Sequence, residues 1–373
     1  DYETNVYNYK KLKNNTLQTL PSIGFNPDDG LSLGFASTFT NYTFERNPYS
    51  SRHTLRGGYF FATSGFDFGY TGEFAHVIGD ANLKIEAKFT SPNFARNFFG
   101  FGNSTPNLES DDDSIDMDFN RVKIRTFRVS PALVWKSQYG SMLEFGATYE
   151  SNEVERTAGR FLETITSPTD AVFDKQDFYG AHAKFVYDVK DNESFPTLGM
   201  FLSMEAGFKN NIDTSKGFGY LIPELGFDYK LTNRGTVVLA TKLRSQLNLG
   251  DNFEFFQAAT LGDTEGLRGY RRERFAGKRS FVQSTDLRFN LRRKSSNFLP
   301  FNIGFFGGFD YGRVWIDDNR ITSGNPTTFN QDTWNTSIGG GLFFSAYSMI
   351  TGNLSAFSSD DGMRLAFRLG FGF

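Results

Sequence analysis

The sequence predicts one all-β domain, a closed transmembrane antiparallel β-barrel of about 16 strands with a long external loop folded into its lumen. Three observations lead there. First, apolar residues sit one at a time between polar ones, in runs of about ten or more, the length that a tilted membrane strand needs. Second, the apolar set is aromatic, with 44 Phe and 16 Tyr in 373 residues, where a soluble core draws on Leu, Ile and Val. Third, there is no apolar run long enough for a membrane helix and no helical period to cover an open sheet. In lipid a sheet must close, because an edge would leave backbone groups unpaired. A soluble sandwich also alternates, but its strands average about 5–6 residues.

The elements follow in order. Residues 1–15, with Lys10, Lys11 and Lys13, are a polar lead-in, and the barrel occupies 16–373. The first strand, 16–26, contains Pro21, which cannot donate to a ladder and so marks an edge or seam. Asn26-Pro27-Asp28-Asp29-Gly30 is a turn. Strand 30–44 sets Leu31, Leu33, Phe35 and Phe39 against Ser32, Gly34, Ala36 and Thr38. Strands 52–63 and 65–78 follow, then 81–91, where Leu83, Ile85, Ala87 and Phe89 oppose Lys84, Glu86 and Lys88. Next come 120–136, 141–152 and 176–188, the last with Tyr179, Ala181, Ala183 and Phe185 opposing His182 and Lys184. Strands 198–209, 217–231 and 235–248 lead to 279–293 and 300–316, and the chain ends with 332–346, 348–358 and 361–373. A period of two puts each apolar set on one face. Long connections at 92–119, 153–175 and 249–278 alternate with short turns such as 79–80 and 137–140. An even count places both termini in the periplasm and the long loops outside.

Composition adds bounds. Cysteine is absent, which fits a bacterial envelope protein, and the net charge of -3 selects no partner. The chain opens on Asp1 with no signal peptide, as expected of a mature or trimmed product. His53, His76 and His182 fall on separate strands without metal-ligand spacing, and no nucleophile–base arrangement is visible, so neither metal, cofactor nor catalytic residue is expected. Phe98-Phe99-Gly100-Phe101-Gly102 is no nucleotide fingerprint, because no βαβ unit surrounds it. The acidic run 109–118 lacks calcium-loop spacing and reads as a solvated external loop.

The stretch that singles itself out is Leu261–Arg279, glycine-rich and basic, inside the loop Leu249–Lys278. Arg271, Arg272, Arg274, Lys278 and Arg279 suit lumenal carboxylates or lipopolysaccharide phosphates; without interleaved aromatics they do not suit nucleic acid. Arg268 sits between Gly266 and Gly269-Tyr270, which let the loop turn around it. Asp286 and Asp310 share the lumen face of adjacent strands, and Gly308 and Gly312 leave room beside Asp310 for a planar guanidinium. The expected arrangement is Arg268 paired with Asp310, with Asp286 as second acceptor.

With these residues in hand, the chain resembles the barrel of the BamA/TamA outer-membrane superfamily, which includes the two-partner-secretion transporters. The resemblance rests on Leu267-Arg268-Gly269-Tyr270 in the sixth external loop and on Asp286 in the next strand. It also rests on Phe309-Asp310-Tyr311-Gly312-Arg313-Val314-Trp315, in which the Phe is adjacent to the Asp, and on the turn Phe195-Pro196-Thr197-Leu198-Gly199. The alternating C-terminus through Phe371 and Phe373 is similar to the family's assembly signal, with Arg368 where a glycine is usual. Residues 1–15 are too few for the periplasmic domains of BamA-like members; the NPDDG turn and the FFGFGN stretch resemble the metallophosphoesterase-fused group. The resemblance implies an outer-membrane protein in lipid and lipopolysaccharide that inserts or translocates client polypeptides, alone or with accessory periplasmic proteins. Its weak point would be a seam between 16–26 and 361–373, marked by Pro21 and by Gly370 and Gly372. A passive or gated channel, or the anchor of a detached hydrolase domain, are the alternatives.

Overall fold

The computed structural model describes residues 14–26, 30–43, 46, 48–92, 95–108, 118–167, 170–192, 196–291, 301–317, 333–346 and 350–371. Most of the lead-in, residues 27–29 of the NPDDG turn, the acidic run 109–117, Phe195, Arg292 and Phe373 lie outside the described residues.

The barrel strands, in chain order, are β1 (Thr16–Asn26), β2 (Gly30–Asn41), β3 (Ser51–Phe60), β4 (Gly65–Ile78), β5 (Ala81–Thr90), β6 (Arg121–Lys136), β7 (Ser141–Val154) and β8 (Gln176–Lys190). The second half comprises β9 (Leu198–Asn211), β10 (Gly217–Lys230), β11 (Val237–Leu249), β12 (Arg279–Asn290), β13 (Phe301–Trp315), β14 (Asn335–Ala346), β15 (Ile350–Ser359) and β16 (Gly362–Phe371). Each pairs antiparallel with its neighbours in sequence, and β1 meets β16 to close the sheet. Strand β2 stops at Asn41, short of the expected 44, where the Tyr42 amide donates to the Asn15 side chain and not to a ladder. Strand β14 starts at Asn335, not 332.

β1 begins and β16 ends at the same rim, as an even count requires. That rim carries the connections 42–50, 79–80, 137–140, 191–197 and 231–236. The opposite rim carries 91–120, 155–175, 250–278 and 316–334, with short hairpins between them. Phenylalanines from these long loops and the adjacent strand ends, among them Phe98, Phe178, Phe218, Phe253 and Phe256, form one buried cluster at that end of the barrel.

The two faces of the wall differ in chemistry. Leu31, Leu33, Phe35 and Phe39 point outward, each 40–45% exposed, and Phe185 and Leu365 do the same on other strands. The inward face is polar and charge-paired. Glu144 takes Lys84 at 2.7 Å and His182 at 3.1 Å, Glu150 takes Lys209 at 2.7 Å, and Glu205 takes Lys184 at 3.2 Å. A charge removed from bulk water is costly unless paired, and these cations reach carboxylates one or two strands away. His53 bonds Tyr70 and Ser51, and His76 sits by the turn 79–80 with φ of 52°; together with His182 they are wall and rim residues.

This division gives a direct test. Phe185→Arg sets a charge against lipid and costs about 2–4 kcal/mol near the midplane, measured by reversible unfolding in lipid vesicles. Lys184→Arg, on the lumen side, leaves stability unchanged. Equal losses in both would invert the assignment of faces.

Candidate functional site: an arginine held inside the barrel

The loop between β11 and β12, residues 250–278, turns back into the lumen. It does so with its own small structure. Glu254 and Gln257 cap a single 3₁₀ turn at Phe255–Gln257, and Ala259–Leu261 pairs with Phe275–Gly277 as a short hairpin. Between the hairpin arms, the amide of Leu267 donates to the Gly262 carbonyl at 2.8 Å and that of Tyr270 to Leu267 at 3.1 Å. Gly266 has φ of +112°, a region L side chains rarely adopt, so glycine is required for this turn. Leu261, Leu267, Tyr270 and Phe275 are buried against Val282 of β12 and Val314 of β13. The apolar side of the loop thus packs on the inner wall, and its polar side is presented to the carboxylates.

Arg268 is directed by this packing onto Asp310, which is fully buried. Nη2 of Arg268 lies 2.6 Å from Oδ1, Nε lies 3.1 Å from both carboxylate oxygens, and the Arg268 backbone amide donates to Oδ2 at 3.1 Å. Ser337 of β14 donates its hydroxyl to the same Oδ2 at 2.8 Å. Asp286 Oδ1 stands 2.8 Å from Nη2, at an angle that makes it an ion pair and not a directed hydrogen bond. The guanidinium lies over the Phe357 ring, 4.1 Å from its centroid, so a cation–π contact covers one face of the group. Two carboxylates against one guanidinium, one of them fully desolvated, fit Arg and not Lys, whose point charge cannot fork.

The glycines act differently from what their spacing suggests. A Cβ at Gly308 would sit 2.6 Å from Asp286 Oδ1 and 2.7 Å from Arg268 Nη2, so this glycine does make room for the guanidinium. Gly312 does not: a Cβ there would meet the Phe281 carbonyl oxygen of β12 at 2.8 Å and Leu261 Cδ1 at 3.1 Å, so its space is taken by the neighbouring strand and the loop's apolar anchor. Nor does Gly269 supply a positive φ. A Cβ there would approach Ser337 at 2.7 Å and Ser359 at 3.0 Å, so it lets the loop backbone touch the wall. Alternation reveals which face a residue occupies but not which neighbour reaches it across the lumen. Two serines then clip the backbone: Ser284 to the Gly266 carbonyl and Ser359 to the Gly269 carbonyl, both at 2.7 Å.

A second set of contacts was not legible in the sequence. Arg274 is buried, bonded to Asp361 in the β15–β16 turn at 2.6 Å and to the Thr105 carbonyl at 2.6 Å. Its guanidinium also stacks on Phe99 and Phe275. Arg96 binds Glu273, Asn97 accepts from Arg271 at 3.1 Å, and the Asn103 side chain both donates to and accepts from the Val314 backbone. The stretch 96–105 is therefore a brace for the loop. Lys278 pairs with Asp251 and Asp317, and Arg279 with Asp317. Arg274, Lys278 and Arg279 thus neutralise carboxylates. Asp118, the described end of the acidic run, pairs with Arg121 at 3.2 Å and Arg160 at 3.4 Å. Pro21 lies at the centre of β1 opposite Phe35 of β2, and Phe371 ends β16 opposite Ile350.

One loop carboxylate runs against this pattern. Glu265 Oε2 is buried without a partner. Burial, then the charge of Glu273, pushes its carboxyl above the usual range, while Thr264, Arg272 and Arg244 pull it back.

An arginine plug inside a closed sixteen-strand barrel defines a class of outer-membrane protein. This chain belongs to the Omp85 superfamily, whose domain matches residues 69–346. Its fold is similar to that of BamA from Haemophilus ducreyi lacking POTRA domains 1-3, with a TM-score of 0.69, 14% identity and 96% of this chain covered against 70% of that one. CdiB from Escherichia coli gives a TM-score of 0.61 at 12% identity, covering 97% of this chain. CdiB from Acinetobacter baumannii gives 0.55 at 9%, covering 96%. The chain spans 64% and 60% of those two CdiB chains, less than two thirds of each. No curated protein shows significant sequence similarity to it.

Removing one partner of a buried pair strands a charge and costs about 3–5 kcal/mol. Arg268→Ala and Asp310→Ala are each expected to open residues 255–278 to limited proteolysis, Arg268→Lys to restore protection only in part, and the double mutant to show strong coupling. Additive effects would mean that the pair does not hold the loop. Glu265 gives a pH test. Its raised pKa favours the docked loop while the group is protonated, so docking weakens as pH rises through that pKa. Glu265→Gln should therefore be better protected than wild type at pH 8, with the difference vanishing on acidification.

Proposed function

We propose that this barrel inserts or translocates polypeptides at the outer membrane of a Gram-negative bacterium, using the junction of β1 and β16 as a lateral opening. The observation that carries this is the shortness of the junction. Among the described residues the ladder there runs over three pairs, Ile23–Phe25 opposite Phe367–Leu369. Every other junction of adjacent barrel strands has at least nine residue pairs, as at β14–β15. Thr16–Ser22, including Pro21, has no described partner on its β16 side while remaining paired to β2. In lipid an unpaired backbone group costs several kcal/mol, so the strand edge there favours a substitute partner. A client strand adding to that edge would satisfy it by β-augmentation.

In this reading Arg268, Gly269, Tyr270, Asp286 and Asp310 form a lock that fixes the loop while the junction works. Phe371 and Phe373 belong to the C-terminal assembly signal, and residues 1–15 are a periplasmic lead-in. Outer-membrane lipid, lipopolysaccharide and a client polypeptide are the partners. The superfamily match and the BamA and CdiB fold likeness support the reading.

The chain has no cysteine, so Ile23→Cys with Leu369→Cys creates a single possible disulfide across the junction. The oxidised protein should remain a folded barrel and lose client insertion, and reductant should restore it. Full insertion by the crosslinked form would eliminate lateral opening.

A further inference from the structure

Charge pairing in the lumen is close to complete on one side of the barrel and absent at one place on the other. Lys84, Lys184, Lys209, Arg244 and Arg288 each have a carboxylate within 2.7–3.2 Å. Arg56 of β3, Lys88 of β5 and Arg128 of β6 form no ion pair among the described residues. These three are in register: Arg56 opposes Gly69 of β4, Gly69 opposes Lys88, and Lys88 opposes Arg128. Leu55 and Phe127, beside Arg56 and Arg128 in their strands, and Phe68, beside Gly69, are exposed on the outer face, so Arg56, Arg128 and Gly69, with Lys88 opposite it, face inward. Gly69 leaves a gap in the row; a Cβ there would meet only Arg56 Cβ, at 3.8 Å. Arg56 also lines a lumenal cavity of about 960 Å³ bounded by β1–β4.

The nearby acids do not cancel the row. Glu150, opposite Arg128, is held by Lys209 at 2.7 Å. Glu86, two residues from Lys88 on β5, is held by Lys84 at 3.3 Å, and Asp67 on β4 lies near Lys88, so the row carries more positive charge than the carboxylates not already engaged by lysine. Like charges side by side on adjacent strands, as Lys88 and Arg128 are, are destabilising, and an anion from outside the chain would relieve them. The row spans three strand spacings, about 14 Å, too wide for one phosphate group to bridge. Carboxylates on alternate residues of an extended chain, about 7 Å apart, match it.

We propose that Arg56, Lys88 and Arg128 form a lumenal docking site for the acidic side chains of an extended polypeptide. This rests on the reading of the barrel as a handler of client chains and names the client feature that it recognises. The test is fluorescence anisotropy of dye-labelled hexaglutamate with the full chain folded in detergent, folding being verified by heat-modifiable electrophoretic mobility. Wild type should bind, with affinity falling as salt rises. Arg56→Gln/Lys88→Gln/Arg128→Gln should weaken binding at least ten-fold and Lys88→Gln alone about three-fold, while Lys230→Gln, outside the row, leaves it unchanged. No binding by wild type, unchanged binding by the triple variant, or tighter binding of inorganic pyrophosphate than of hexaglutamate would each overturn the proposal. Binding needs no insertion step, so this result stands apart from that of the crosslink across β1 and β16.

Discussion

The fully buried charge of Asp310 is the constraint around which the lumen is arranged. A carboxylate placed on the inner wall with no water access must be matched by hydrogen-bond donors, and three groups from the loop and the wall converge on it. The Arg268 guanidinium and backbone amide arrive from one side and Ser337 from another, while Asp286 contacts the same guanidinium as a second carboxylate. The rest of the loop follows from the need to bring Arg268 to that point. Leu261, Leu267, Tyr270 and Phe275 bury apolar area on the wall, and Gly266 and Gly308 supply the turn and the opening.

The electrostatics of the lumen divide into two regimes. Where the wall faces the plug and the long-loop end, charges are paired and buried. At Arg56, Lys88 and Arg128, on β3, β5 and β6, they form no ion pair among the described residues, and Arg56 lines an open cavity. A plugged barrel thus keeps a cavity of about 960 Å³ beside β1, on the side next to the junction of its first and last strands. The interior is therefore asymmetric: one half provides rigidity and the other provides room.

How much of this was legible in the sequence depends on the range of the signal. Strand positions and faces followed from period-two alternation, which is local. Arg268, Asp286 and Asp310 were legible because glycines flag backbone that must turn or make room, and because each acid stands on an inward position. The brace was not. Arg274 meets Asp361 across 87 positions and Arg96 meets Glu273 across 177, with no periodicity connecting them. Phe98 and Phe99 alternate with nothing, since they pack under a loop and not on a strand face. The role expected of Gly312 failed for the same reason. Parity gave its face correctly, but that Leu261 would fill its space depends on the path of a loop some fifty positions earlier.

The clips at Ser359 and Asp361 have a mechanical consequence. Both belong to the hairpin that carries β16, and both are fastened to the loop, at Gly269 and Arg274. The last strand is therefore moored to the plug, whereas β1 is joined to β2 and backs onto the cavity lined by Leu20, Pro21 and Ser22. If the two strands part, they do so like a door in a frame: β16 is the jamb, held by the arginine-pinned loop, and β1 is the leaf that has space to swing.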